Sequence, residues 1–131
     1  MALFRCGGGT EPVYQVATQT AVQSPGASVY ATTTINAKKL ITLCGTVNTN
    51  NNNNTINLEI YVNGSWVTCT NSNGTYTNAY LNTTSGVGRE FWATWNNNGT
   101  YKNTAITQVR CSRTNGSNDG HQRATVFATY I

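Results

Sequence analysis

Polar and apolar residues alternate along most of this chain with a period of two, and no stretch of useful length carries a helical period. The clearest case is Thr55 to Val62, where Ile56, Leu58 and Ile60 share one face and Asn57, Glu59 and Tyr61 the other. An Asn63-Gly64 pair follows, the strongest short-range hairpin signal, with a return strand over Ser65 to Thr70 carrying Trp66 and Cys69. Ser28 to Asn36 alternates Val29, Ala31 and Thr33 against Tyr30, Thr32 and Thr34. Lys39 to Asn48 sets Leu40, Thr42 and Cys44 against Ile41 and Leu43, and its Gly45 suggests a bulge. Thr104 to Arg113 sets Ile106, Gln108 and Arg110 against Thr107, Val109 and Cys111. Gln122 to Ile131 puts Ala124, Val126, Ala128 and Tyr130 on one face. Val13 to Ala21, Thr75 to Asn82 and Arg89 to Trp95 complete the set.

Turn signals separate these runs: Ser24-Pro25-Gly26, the run Asn50 to Asn54, Asn73-Gly74, Gly86-Val87-Gly88, Asn96 to Gly99 and Asn115 to Gly120. Eight or nine short strands at this spacing predict an all-β domain. The expected form is an antiparallel two-sheet β-sandwich, jelly-roll-like, with a closed barrel as the alternative. The first dozen residues stand apart: Leu3 and Phe4 are apolar, and Gly7-Gly8-Gly9 makes a hinge. The division is therefore an N-terminal docking arm over 1–12 and a sandwich over 13–131. The alternative for the arm is a strand that completes the domain's own sheet.

At 131 residues the chain is the size of one domain. No run reaches the ~18 apolar residues of a membrane helix, and the apolar start is too short for a signal-peptide core, so neither a membrane partner nor a Sec-type export signal is expected. Only 9% of residues are charged, while 23 Thr and 19 Asn make about a third of the chain. That composition predicts a neutral surface of hydroxyls and amides, of the kind suited to a virion shell. The net charge of +4 comes from eight basic and four acidic residues, the basic ones scattered along the chain and including Arg5, Lys38, Lys39, Lys102, Arg110, Arg113 and Arg123. A scattered charge is a solvated surface and not a nucleic-acid footprint.

The chemistry of catalysis is thin. There are four acids, Glu11, Glu59, Glu90 and Asp119, and one histidine, His121. A hydrolase would need two carboxylates flanking one bond, and only Glu59 and Glu90 offer themselves across strands. No phosphate-cradling glycine motif is present. Cys6, Cys44, Cys69 and Cys111 form no CxxC pair, so no zinc site, other metal or cofactor is expected. Cys44, Cys69 and Cys111 lie in strand-like runs and read as small buried hydrophobes. The six Asn-x-Ser/Thr sequons, at Asn53, Asn63, Asn73, Asn82, Asn98 and Asn115, are expected by chance in so Asn- and Thr-rich a chain.

Three tryptophans could make a binding surface. An unbroken strand puts Trp92 and Trp95 on opposite faces, one core and one exposed. Trp95 with Asn97 and Tyr101 forms the best candidate glycan platform, a ring for the sugar face and amides for its hydroxyls. Core aromatics beside a polar turn are the competing reading of the same residues.

In outline the chain resembles the small all-β structural proteins of tailed bacteriophages, of the decoration, head-fibre or tail-accessory type. The resemblance rests on the Met-initiated arm ending in Cys6-Gly7-Gly8-Gly9, the Thr/Asn-rich strands and the last strand ending at Ile131. It is one of style along the whole chain and carries over no individual residue. It implies a non-enzymatic virion protein, released by lysis, that docks through Leu3, Phe4 and Cys6 onto other virion proteins or copies of itself. A carbohydrate-binding module that recognises cell-surface glycans is the alternative function.

Overall fold

A computed structural model of the chain describes residues 15–23, 29–49, 55–82, 89–114 and 122–131. It is all β, as the alternation predicts. The nine strands are β1 (Gln15–Gln23), β2 (Val29–Ala37), β3 (Leu40–Thr49), β4 (Thr55–Val62), β5 (Ser65–Thr68), β6 (Thr75–Asn82), β7 (Arg89–Asn96), β8 (Ile106–Thr114) and β9 (Gln122–Tyr130). The arm residues Leu3, Phe4 and Cys6 lie outside the described residues, as do Val13, His121, Glu11, Asp119 and the turns read at 24–26, 50–54, 86–88 and 115–120.

The strands form two antiparallel sheets, ordered β1-β9-β3-β7-β6 and β2-β8-β4-β5. Four pairs nest inside one another: β4 with β5, β3 with β7, β2 with β8 and β1 with β9. The chain thus runs out and returns along itself, and the doubled ribbon is rolled so that successive pairs fall into alternate sheets. That is a jelly roll, an open sandwich and not a closed barrel. Strand β6 is an addition to it, paired among the described residues only with β7, at the edge of the five-stranded sheet.

Alternation places the core. Ile56, Leu58, Ile60 and Val62 from one sheet meet Leu43, Val47, Ala93, Trp95, Val126 and Ala128 from the other, all buried. Burying a Leu or Ile side chain stabilises by ~1.5–3 kcal/mol, so these inward rows carry most of the stability. The hairpin at Asn63-Gly64 forms as its sequence demands. Both residues have positive φ, 53° and 81°, which is the type I′ turn that matches strand twist.

Three details depart from simple alternation. Leu40 is buried with Leu43 and does not share the outward face of Thr42 and Cys44, because the pairing with β9 slips at Ile41. The extra residue Ile41 reverses the faces of β3 there. Ile106 is buried although Gln108 and Arg110 face outward: beyond the slip between Thr34 and Ala37 it stands opposite the inward Ala37. Gly45 makes no bulge: it stays in register with both Ala93 and Val126. It is glycine because the sheets approach closely there, and a Cβ would come within 2.5 Å of Cys111 Sγ and 2.6 Å of Leu58 Cδ2.

Candidate docking surface

The residues proposed for a glycan platform are brought together, but mostly inside the protein. Trp95 is fully buried at 0% exposure. It pairs with Tyr76 across β6 and β7, on the inward face shared with Ala93. Its indole Nε1–H points at the β5–β6 turn, donating to Thr70 O at 3.3 Å and Asn73 Oδ1 at 3.2 Å. Asn97 is also buried, and its Nδ2 donates to Leu40 O and Tyr101 O at 2.9 and 3.0 Å. Tyr101 is half-buried against the core. The exposed platform expected at Trp95 therefore does not exist: inward parity on β7 makes it core and gives Asn97 a structural role. The expectation that Trp92 and Trp95 occupy opposite faces holds, with Trp92 half-buried on the outer side.

The two candidate carboxylates are not brought together either. Glu59 faces out from the four-stranded sheet and Glu90 is exposed on the other sheet, in register with Asn48. Two packed layers about 10 Å apart lie between those outer faces. Glu59 instead makes a two-point ion pair with Arg110, Nε to Oε1 and Nη2 to Oε2, both at 3.0 Å.

That ion pair anchors a cluster the sequence analysis did not single out. The Arg110 guanidinium lies 4.0 Å from the Trp66 ring centroid and 5.0 Å from that of Tyr30. Trp66 faces Tyr61 directly across the hairpin, with the rings edge to face at 5.3 Å. Tyr61 Oη donates to Gly64 O at 3.1 Å. Tyr30 is 45% exposed. Strand register builds this patch: Tyr61 and Trp66 occupy one row, Glu59 and Arg110 the next, and Tyr30 the one beyond. Alternation alone groups Tyr30 with Thr32 and Thr34, and Glu59 with Asn57 and Tyr61, as found, but their neighbours across the sheet are set by topology. Trp, Tyr and Arg are the side chains that dominate binding surfaces, and here each is held by a neighbour.

Charge is less solvated than expected. Lys38, Lys39, Lys102 and Arg123 are exposed, but Arg110 is stacked and Arg113 is wholly buried. Cys44, Cys69 and Cys111 are free thiols. Cys69 and Cys111 are buried fillers as expected, whereas Cys44 is only half-buried because its parity on β3 turns it outward; burial pushes the Cys111 thiol up to about 12 and raises Cys44 and Cys69 too. Among the described residues no group of three or more His, Cys, Asp or Glu could hold a metal, and no helix is long and apolar enough to cross a membrane.

A second feature lies along one lateral side of the sandwich. Between β4, β5 and β6 runs a groove of about 320 Å³. Ile56, Cys69 and Tyr76 make its floor, and Thr68, Asn71 and Asn78 stand on its rim. Tyr76 Oη ties the two sheets at its base by donating to Ile56 O at 3.2 Å.

No family model matches the chain, and no curated protein matches it. Among solved structures, one described as "Crystal Structure of FLHE" aligns with 89% of this chain and 96% of that one, at 9% identity and a TM-score of 0.38. A likeness that distant carries no argument about function.

Proposed function

We propose that this chain is a non-enzymatic structural protein of a virion, a capsid-decoration or tail-accessory component that docks on a larger assembly through its N-terminal arm. What supports the reading most is how the described polar chemistry is used. The Glu59–Arg110 pair is locked between aromatic rings, and the other described acid, Glu90, lies on the opposite outer face. The remaining outward positions are largely threonines and amides, with Val16 and Phe127 standing exposed at 58% and 44%. Sheet faces built mostly of threonines and amides, with isolated apolar side chains, suit packing against neighbours better than turnover.

The arm carries the docking in this reading, with Leu3, Phe4 and Cys6 as its contacts, other virion proteins or further copies as its partners, and release by lysis as its route out. Deleting residues 1–9 is expected to abolish incorporation into the particle while leaving the β-sheet circular-dichroism signal and cooperative melting of the sandwich. Incorporation of the truncated protein at the full level would rule the arm out.

A second reading is favoured by one observation. Trp66, Tyr61 and Tyr30 form an outward aromatic cluster beside the Arg110–Glu59 pair. This moves a glycan platform from Trp95 to the outer face of the four-stranded sheet. A glycan array on which the native protein binds and Trp66→Ala is silent supports it; an array silent for both removes it.

A further inference from the structure

We infer that the groove between β5 and β6 receives the N-terminal arm of a second copy of this chain, added as an antiparallel strand along β6 with Leu3 and Phe4 over the groove. The inference rests on the docking-arm reading and names the surface that the arm finds.

Strand β6 has eight residues in unbroken register with β7, and none of them is charged or proline. Natural edge strands are normally guarded by charge, proline, a bulge or shortness. Among the described residues only Tyr76 is met on this edge: Asn71 Oδ1 accepts the Tyr76 N–H at 2.8 Å, on the side away from β7. In an antiparallel ladder alternate residues point their backbone groups the same way. Asn78 and Tyr80 therefore present N–H and C=O along the free edge. A strand laid there gains main-chain hydrogen bonds, while alternate side chains drop toward Ile56, Cys69 and Tyr76. Among the described residues none that lines this groove is charged, so it suits an uncharged, apolar-led segment. Met1-Ala2-Leu3-Phe4 is such a segment in the chain outside the described residues.

Reach favours a neighbour's arm over the chain's own. Strand β1 starts at the opposite edge of the five-stranded sheet from β6. Lying outside β6 takes five inter-strand steps from β1, about 24 Å, and Asn78 lies about 10 Å up β6 from Thr75. The ten residue steps from Tyr14 back to Phe4 span at most ~36 Å fully extended. A chain would spend nearly its whole arm rounding the rim of its own sheet, whereas a second copy sets no such demand.

The test uses full-length chains and sedimentation velocity. Asn78→Pro removes one edge N–H without touching the ladder to β7, a position where an edge strand accepts proline. Asn78→Lys places a charge on the rim with no backbone demand, and guards against misfolding of the first variant. Each is expected to weaken self-association by more than about tenfold through lost edge hydrogen bonds and apolar contact, with unchanged melting. The Leu3→Ser/Phe4→Ser chain is expected to sediment as a monomer too. Mixing it with Asn78→Pro restores a two-chain species, because one partner supplies the arm and the other the groove. If the arm variant is monomeric but both Asn78 variants assemble as the native chain does, the groove is not the receptor and the arm docks elsewhere. If arm and groove variants all assemble like the native chain, the docking-arm reading fails as well. A native chain that stays monomeric, or a mixture that does, overturns the second-copy occupant.

Discussion

The two lateral sides of this sandwich are bounded by similar strands and finished differently. On one side β1, the edge of the five-stranded sheet, packs against β2, the edge of the four-stranded sheet. Strand β1 is as uncharged and proline-free as β6, yet its flank is covered. On the other side, among the described residues, β5 packs closely only on β4, and β6 packs along β7 and reaches the opposite sheet through the Tyr76–Ile56 hydrogen bond. Strand β5 is four residues long and stops early, while β6 runs on for eight. Edge composition alone therefore does not decide which side is sticky. The two sides differ in whether the edge of the opposite sheet lies near enough to cover the strand, and among the described residues β6, an addition beyond the rolled ribbon, has no strand packed over it as β2 packs over β1.

Three experiments would break or sharpen this contrast. The largest effect belongs to Trp95, which fills the core and hydrogen-bonds the β5–β6 turn that holds the open side's corner. Trp95→Ala is expected to cost about 3–5 kcal/mol by urea unfolding. Hydrogen exchange should rise in β6 before β1. Equal loosening of both sides would mean that the corner is not held by this residue. Next comes Gly45→Ala, which pushes on Cys111 and Leu58 between the two sheets. Overpacking of this kind costs about 1–3 kcal/mol, and because it acts on the spacing common to both sides it should favour neither in exchange.

The smallest effect is with pH. Burial raises Cys69 and Cys111 from 9.0, Cys111 to about 12, and raises Tyr76 from 10.0 to about 12. The folded state keeps protons that the unfolded chain releases. Stability is thus fully present below pH 9 and falls as pH rises toward 12, by about 1.4 kcal/mol per thiol at pH 10. Thermal melts from pH 7 to 10.5 should show that decline, and Cys111→Ala should flatten its share. Since Cys69 and Tyr76 line the open groove, a flat profile would show that they are not shielded there.

How much of this could be read from the chain differs residue by residue. The inward rows of β4 and β9 and the Asn63-Gly64 hairpin were legible, because period-two alternation and a positive-φ turn are local properties. The faces of Leu40 and Ile106 were misread, because each depends on a slip against a partner strand distant in sequence. Trp95 looked like a platform because Asn and Tyr surround it in sequence, yet parity on β7 turns it inward. The Trp66–Arg110–Tyr30 stack could not be found, since its members come from three strands that only the topology sets side by side.

By itself, then, the sequence determined an all-β sandwich, most of the residues facing its core and the scarcity of groups fit for catalysis. Those follow from side-chain type and spacing along one strand. The tertiary structure decided which strands lie next to one another, and so which aromatic meets which cation, where Gly45 is squeezed and which edge is left open. These depend on how the ribbon rolls, and strand pairing across fifty or a hundred residues leaves no local trace in the chain.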